Sequence, residues 1–184
     1  MATPASGTPA TVGGNLGYAE PASDPAPALL CAEADVVVAG PDGRRTLAIT
    51  DFFTGFYATA LAAGELVVGL RVPRLPAGAR SSYVSTARAR TRTSRSVGVA
   101  ALVVPAARRA GSTRSDRARR RRAPTVRARG AEARLHGRVV DDTAIREAAE
   151  MAASGASRSL DLMGSADYRR EMVRSGFAGC SQRV

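Results

Sequence analysis

Residues 11–25 constrain the fold of this chain more than any other stretch, because three glycines there precede a helix signal. The stretch reads TVGGNLGYAEPASDP. Glycine adopts positive φ at no steric cost, and successive amide N–H groups in a tight turn can form a concave site for an anion. Asp24 is a helix-capping residue type, and Pro25 suits the first position of a helix. The pattern predicts a glycine-rich anion-binding loop followed by a helix over 26–32.

The glycines alone do not identify a ligand. No lysine follows them, and their spacing is not GxGxxG, so they match neither a Walker loop nor the Rossmann fingerprint. A tight surface turn explains them equally well, because short glycine motifs become specific only in their sequence context. The residues that follow the glycines therefore decide between the two interpretations.

The longer string TVGGNLGYAEPASDPAPALL resembles one loop of the FAD-carrying medium subunits of molybdenum hydroxylases, the carbon monoxide dehydrogenase-like and xanthine dehydrogenase-like enzymes. Many members read T-[IV]-G-G-N-L and then P-x-S-D-x-x-x-x-L-L at their second double-glycine loop. The resemblance implies that FAD is the cofactor and that the loop lies at its pyrophosphate. It implies cofactor contacts for Thr11, Val12, Gly13, Gly14, Asn15, Gly17, Ser23 and Asp24.

A hairpin and a further strand are predicted after this stretch. Residues 34–40 and 44–49 are short runs with strand composition, and the Pro-Asp-Gly sequence between them is a turn signal. Residues 65–73, ELVVGLRVP, form the next predicted strand and also match the family. In the family one apolar residue of this strand packs on the flavin side, and by position the resemblance implies Val67.

Half of the aromatic residues of the chain fall within 51–57, DFFTGFY. We interpret this segment as a loop anchored by aromatic packing rather than as a ligand contact, and related flavin subunits carry a similar segment. The Pro- and Gly-rich residues 73–78 then predict a boundary. We expect the carboxy-terminal part of an FAD-binding domain over 1–75 and a CO dehydrogenase flavoprotein-like carboxy-terminal domain over 76–184.

The second domain is predicted to combine a small sheet with helices. Ser85 stands in a strand where the family usually has a lysine, which in several members approaches the isoalloxazine, so that charge is missing here. A helix is predicted over 141–155, and another after a capping serine at position 165. The apolar face of the first of these helices is predicted to hold Ile145, Ala148, Ala149, Ala152 and Ala153. Strands and helices in separate blocks indicate an α+β fold with antiparallel strands, the first domain being the second half of a PCMH-type domain.

The net charge of +11 is concentrated in one region. All 27 basic residues are arginine, and residues 86–129 hold 14 of them beside a single acid. Such a block suggests a nucleic-acid-binding insert, but no aromatic residue for base stacking lies within it, so we disfavour that function. We hypothesise instead that 86–96 and 106–122 are frame-shifted coding sequence, because a shifted frame in a GC-rich gene yields Arg, Ala, Gly, Pro, Ser and Thr. Residues 1–10 and 175–184 are similar in kind.

Other site chemistries are disfavoured. The chain has one histidine, His136, and two distant cysteines, of which Cys31 is expected to be buried. Neither a metal-ligand spacing nor a nucleophile pattern occurs, so no catalytic or metal-binding residue is predicted, and chemistry depends on the cofactor. The sequence contains no run of about 18 apolar residues, so no membrane span is predicted. Residues 1–10 do not resemble a signal peptide. We expect a cytoplasmic protein.

The resemblance implies an oxidoreductase subunit. In such enzymes a molybdopterin-binding large subunit oxidises the substrate, a small subunit carries electrons through 2Fe-2S clusters, and FAD passes them to an acceptor. Family members carry a first double-glycine loop ahead of TVGGN, so we expect an amino-terminally truncated fragment with weak or no FAD binding by itself. The alternative is a non-catalytic scaffold or remnant subunit without flavin.

Overall fold

The computed structural model describes residues 10–21, 23–87, 95–104, 127–138, 140–155 and 166–181. Within these ranges the chain folds into two compact units, one ending at Arg74 and the other beginning at Leu75. All strand pairs are antiparallel, and the helices lie in separate blocks. The predicted α+β class is therefore confirmed.

The first unit holds three helices and five strands. They are α1 (Val12–Tyr18), α2 (Pro25–Cys31), β1 (Asp35–Gly40), β2 (Gly43–Ala48), α3 (Ile49–Phe52), β3 (Phe53–Gly55), β4 (Ala58–Thr59) and β5 (Leu66–Arg71). Strands β2, β1 and β5 form one sheet in that order, and β3 pairs with β4. The helix predicted after Asp24 is present, with Pro25 at its start.

The predicted hairpin is formed by β1 and β2. Gly40 pairs with Gly43, whose φ of 109° is open to glycine and strained for other residues. The other edge of β1 pairs with β5, with a register shift between Val37 and Val38. Because side chains alternate along a strand, one face of β1 is directed into the core, and Val36 and Val38 on that face are fully buried.

The core of the first unit lies between this sheet face and the short helices. Its most buried members are apolar residues from α1, β1 and α3, namely Leu16, Val36, Val38, Ile49 and Phe52. Leu16 comes from the glycine-rich stretch itself, so burial of one side chain fixes α1 against the sheet. Cys31, which was expected to be buried, is only half-buried, because it lies at the last position of α2.

The second unit pairs β6 (Arg80–Ala87) with β7 (Arg95–Val103), followed by α4 (Arg129–Leu135), α5 (Asp142–Gly155) and α6 (Ala166–Ser181). Helix α6 packs on the two strands. A Cβ built on Gly176 would lie 3.0 Å from a methyl of Val99, so the missing side chain allows the close approach. Cys180 is fully buried there, with its Sγ 3.2 Å from the carbonyl oxygen of Val99.

Helix α5 follows its sequence prediction closely. The Asp141 carboxylate accepts a hydrogen bond from the Ala144 amide at 2.7 Å, which caps the helix start. The five residues predicted for the apolar face, Ile145, Ala148, Ala149, Ala152 and Ala153, are all buried. Small side chains let α4, α5 and α6 pack together around Ala131 and Leu135. The serine predicted to cap the last helix lies outside the described residues.

The arginine-rich segments fall mainly outside the described ranges. Their ends that are described extend β6 to Ala87 and begin β7 at Arg95. The last stretch suspected of a shifted frame is helical as far as Ser181 and contributes the buried Cys180. Within the described residues, every helix is too short or too polar to pass through a lipid bilayer.

Candidate functional site

The glycine-rich stretch starts a helix rather than forming a loop. Thr11 is the N-cap, with φ −92° and ψ 151°, and its Oγ1 accepts a hydrogen bond from the Gly14 amide at 3.0 Å. The Asn15 amide donates to the carbonyl oxygen of Thr11, also at 3.0 Å, which closes the first turn. The predicted loop over these residues is therefore wrong, because a capping hydroxyl and a buried Leu16 outweigh the low helix propensity of glycine.

This correction changes what the backbone can offer a ligand. Two of the amides expected to face an anion, those of Gly14 and Asn15, are already hydrogen-bonded within α1. The amides of Val12 and Gly13 lie before the first intrahelical hydrogen bond, so the helix itself offers them no acceptor, as in any α-helix. Gly14 is exposed, and a Cβ built on it would meet only the Thr11 hydroxyl within 4 Å. The outer surface of this turn is therefore bare backbone flanked by a hydroxyl.

Gly13 lies directly against Val67 of β5. A Cβ built on Gly13 would be 3.1 Å from the carbonyl oxygen of Val67 and 3.4 Å from its Cγ1. Val67 is half-buried and packs on the core of the first unit. Two predicted site residues that are far apart in the sequence therefore touch, one on each element.

A second contact joins the two helices at the start of the chain. The Ser23 hydroxyl donates a hydrogen bond to the Asn15 side-chain oxygen at 2.5 Å, and Ser23 is only 8% exposed. Asp24 is the N-cap of α2, but its carboxylate does not cap the helix, so the predicted cap occurs by position alone. All nine predicted site residues lie in the first unit, on α1 and its N-cap, before α2, and on β5: Thr11, Val12, Gly13, Gly14, Asn15, Gly17, Ser23, Asp24 and Val67.

An exposed aromatic cluster follows α1. Tyr18 and Tyr57 meet edge to face with ring centroids 5.3 Å apart, and Phe56 contacts Tyr57 at 4.8 Å. The Tyr57 hydroxyl donates to the Glu20 carboxylate at 2.6 Å, and mainly for this reason the pKa of Tyr57 rises to about 12. The segment 51–57 was predicted as a loop anchored by aromatic packing. The aromatic packing is present, among the buried Phe52 and Phe53 and among the exposed rings, but much of the segment belongs to α3 and β3 rather than to a loop.

An ion pair holds the loop between β4 and β5. Arg45 bonds both oxygens of Glu65, at 2.6 and 2.7 Å, and also the carbonyl oxygen of Ala60. The Ala62 amide donates to the same carboxylate. These partners, Arg45 first, lower the pKa of Glu65 to about 2. Sequence reasoning missed this clamp, because its partners are 20 residues apart and share no motif.

In the second unit Ser85 lies on β6, opposite Gly98 of β7, and is half-buried. This is the position where the resemblance expects a lysine. Two residues earlier Tyr83 lies over Gly98, whose missing side chain leaves room for the phenol. Burial is the main cause that raises the pKa of Tyr83. The strand therefore carries a neutral hydroxyl group at the position where the family usually has a lysine, as the sequence indicates.

Other chemistries find no support among the described residues. His136 is exposed at the end of α4, and no cluster of His, Cys, Asp or Glu in these ranges could hold a metal ion. Glu147 on α5 is paired with Arg134 and Arg138, which lower its pKa, so it ties two helices together. The predicted site residues of the first unit thus offer backbone, hydroxyl and amide groups together with the carboxylate of Asp24.

Comparison with known proteins identifies the two parts of the chain. Residues 1–75 match the family model of the FAD binding domain in molybdopterin dehydrogenase. Residues 121–184 match that of the CO dehydrogenase flavoprotein C-terminal domain. The two matches follow each other in the order expected from the sequence, and FAD is the cofactor for which the first domain family is named.

Individual relatives cover most of this chain. The carbon monoxide dehydrogenase medium chain of Hydrogenophaga pseudoflava is 33% identical over 166 residues, which is 89% of this chain and 56% of that protein. The 6-hydroxypseudooxynicotine dehydrogenase complex subunit alpha of Paenarthrobacter nicotinovorans is 26% identical over 90% of this chain and 55% of its own length. The chain therefore spans little more than half the length of these relatives.

A solved structure has the same fold. Carbon monoxide dehydrogenase from Hydrogenophaga pseudoflava, in the form that lacks the Mo-pyranopterin moiety, superposes with a TM-score of 0.84 at 29% identity. The superposition covers this whole chain and 63% of the other. Together with the two domain matches, it shows that the chain belongs to the family of FAD-binding medium subunits of molybdenum hydroxylases.

Proposed function

We propose that the chain contributes to the FAD site of a molybdenum hydroxylase and contacts the cofactor through α1 and β5. The observation that carries the proposal is the match of residues 1–75 to an FAD-binding domain, combined with the contacts that join the predicted site residues. Gly13 touches Val67, and Ser23 bonds Asn15, although each pair is separated in the sequence. These contacts bring residues from three parts of the first unit into one region.

The described residues fit a diphosphate at the start of α1. Gly14 has no side chain and is exposed, so a ligand can approach the backbone there without meeting a Cβ. The hydroxyl of Thr11 and the side-chain NH2 group of Asn15 lie within the same turn and are groups that can donate hydrogen bonds to phosphate oxygens. Together with Val12, Gly17, Ser23 and Asp24 they make up the proposed diphosphate region.

Val67 is the proposed contact for the flavin ring. It is an apolar, half-buried side chain on β5, next to Gly13. FAD, when bound, supplies the capacity to accept and release electrons, while the protein binds and orients it. Ser85 on β6, in the second unit, is neutral where the family usually has a lysine, so this residue cannot supply a positive charge.

The wider proposal is a subunit of an oxidoreductase complex in the cytoplasm. Three relatives are named as the carbon monoxide dehydrogenase medium chain, the 6-hydroxypseudooxynicotine dehydrogenase complex subunit alpha and the nicotine 6-hydroxylase medium subunit. We infer that this chain assembles with a molybdopterin-binding large subunit and a 2Fe-2S small subunit, and that electrons pass from the clusters through its FAD to an acceptor. We also propose a domain boundary at residues 75 and 76, which is supported by the limit between the two compact units.

A titration with FAD tests the proposed site. The full chain is added to FAD up to low millimolar concentration, and quenching of the flavin fluorescence reports binding. A Kd in this range corresponds to a binding free energy of about −4 kcal/mol, so weak binding is still detected. We expect weak, saturable binding that Asn15→Ala reduces. Thr46→Ala, on the exposed face of β2, is the matched control and should bind like the wild type. Absence of saturable binding by the wild-type chain, both alone and assembled with its two proposed partner subunits, would contradict the proposal.

Co-purification tests the proposed partners. The chain is expressed together with a large molybdopterin-binding and a small iron–sulfur subunit from the same genome, and the complex is analysed for flavin. FAD bound in a three-subunit complex is expected. A complex that assembles without flavin, and whose stability is insensitive to Asn15→Ala, would favour the alternative of a scaffold subunit.

A further inference from the structure

Gly13 occupies a position on α1 that has no room for a side chain. A Cβ there would lie 3.1 Å from the carbonyl oxygen of Val67 and 3.5 Å from its Cβ. The nearest obstacle is a backbone atom of a paired strand, since Val67 is in register with Val38 of β1. A rotamer change could not relieve this contact, so the helix and the strand would have to separate by a few tenths of an ångström.

The other two glycines of α1 differ from Gly13 in this respect. A Cβ on Gly17 would meet only a methyl of Leu61 at 3.9 Å, an ordinary van der Waals distance. A Cβ on Gly14 would approach the Thr11 hydroxyl but no atom of β5. Among these three glycines, Gly13 therefore sets how closely α1 approaches β5.

We infer that Gly13 is a positioning residue that fixes the spacing between α1 and β5 and thereby between the two ends of the cofactor site. This inference rests on the proposed FAD site, in which α1 meets the diphosphate and Val67 faces the flavin ring. A ligand that spans both elements requires one defined separation between them. A ligand that touches only α1 does not require a defined separation between α1 and β5, because α1 keeps its shape when it moves away from the strand.

Three variants separate this role from a loss of stability. Gly17→Ala adds helix propensity where there is room, and we expect it to raise the Tm by about 4 °C. Gly13→Ala gains the same propensity but must push α1 away from Val67. The double variant Gly13→Ala/Gly17→Ala regains stability without relieving that contact, so it also serves if Gly13→Ala alone folds poorly.

The readout is the affinity for FAD compared with that for ADP, which has the diphosphate but lacks the flavin ring. Both are measured by titration of the full chain. We expect Gly13→Ala and the double variant to bind FAD about fivefold or more weakly than wild type, because sites tolerate misplacement of only about half an ångström. Their affinity for ADP should fall less, so that the ratio of FAD affinity to ADP affinity drops. Gly17→Ala, in the proposed diphosphate region, should change both affinities by the same factor and leave this ratio at the wild-type value.

The possible results have distinct meanings. Equal ratios of FAD to ADP affinity for Gly13→Ala and Gly17→Ala would overturn the spacing role and leave the proposed site intact. Equal losses of FAD and ADP affinity would also overturn it, because Gly13 would then act on the diphosphate alone. A wild-type chain that binds neither ligand, both alone and assembled with its two proposed partner subunits, would contradict the proposed function itself.

Discussion

One hydroxyl determines where α1 begins. The Thr11 hydroxyl oxygen accepts a hydrogen bond from the Gly14 amide. The Asn15 amide donates to the carbonyl oxygen of Thr11, which closes the first turn. A threonine three residues before a glycine carries no helix signal by itself, and the two neighbouring glycines favour a turn. The sequence predicts that this region belongs to the site, but its helical state depends on this cap and on the burial of Leu16.

Replacing Thr11 tests the cap. Thr11→Val keeps the shape of the side chain but removes the acceptor for the Gly14 amide. We expect it to destabilise the first unit by about 1 kcal/mol and to weaken FAD binding. Thr11→Ser retains the hydroxyl and should resemble wild type in both measurements, thermal unfolding by circular dichroism and flavin titration. Equal stability of the two variants would show that the cap contributes nothing measurable.

The Glu65 carboxylate predicts a dependence of stability on pH. Its pKa in the folded chain is about 2, below its ordinary value of 4.5, chiefly because Arg45 bonds it. A lowered pKa in the folded state means that the folded protein binds fewer protons, so stability increases with pH across this interval. The contribution is fully present above pH 4.5 and is lost as the pH falls toward 2.

Glu65→Gln removes this titrating group. The variant should unfold at a lower temperature than wild type near neutral pH, and the difference should narrow as the pH falls from about 4.5 toward 2. Asp42→Asn, in the exposed turn between β1 and β2, is the matched acid-to-amide control. A difference in Tm that stays constant over this range would contradict the role of the Arg45 pair.

At the scale of elements, locally encoded structure was predicted well. The β1–β2 hairpin follows from a turn signal between two strand-like runs, and the pairing of Gly40 with Gly43 confirms it. Helix α5 follows from its apolar period, and the residues predicted for that face are buried. Both depend on neighbours in the sequence, which is why residue type and spacing are sufficient.

Contacts between elements that are distant along the chain could not be predicted from the sequence. Gly13 and Val67 are on different elements, and no local pattern indicates that one lies against the other. The same holds for the bond between Asn15 and Ser23 and for the Arg45–Glu65 pair. The family resemblance supplied the predicted site residues, but the way in which they meet depends on tertiary packing.

The small residues of α5 predict a sharp response to larger side chains. Ala148 is fully buried among α4, α5 and α6. We expect Ala148→Leu to cost about 1–3 kcal/mol, because added methylenes force a packed core apart. Met151→Leu, at a largely exposed position of the same helix, is the control and should change the Tm little. Unfolding followed by circular dichroism would measure both, and a neutral Ala148→Leu would indicate a loosely packed second unit.

At the scale of the whole molecule, charge is distributed unevenly. Residues 86–129 carry 14 arginines and a single acid, while the rest of the chain is close to neutral. Such a block attracts any polyanion through counterion release, without reading its sequence. The distribution of charge therefore does not by itself make nucleic acid a functional partner.

The salt dependence of nucleic-acid binding distinguishes non-specific electrostatic attraction from a dedicated nucleic-acid function. We expect DNA or RNA binding to be independent of sequence and to fall by about three orders of magnitude between roughly 50 and 200 mM salt. Filter binding with two unrelated oligonucleotides at each salt concentration would measure this. A preference for one oligonucleotide that persists at the higher salt concentration would support a dedicated nucleic-acid function instead.

The two cysteines can serve as intrinsic probes of local unfolding. Cys31 is partly accessible at the end of α2, whereas Cys180 is sealed between α6 and the strands β6 and β7. In a pulse of iodoacetamide, Cys31 should be alkylated in the native chain, and Cys180 only when the second unit opens. Mass spectrometry of the labelled peptides would then time the opening of that unit without adding any foreign probe.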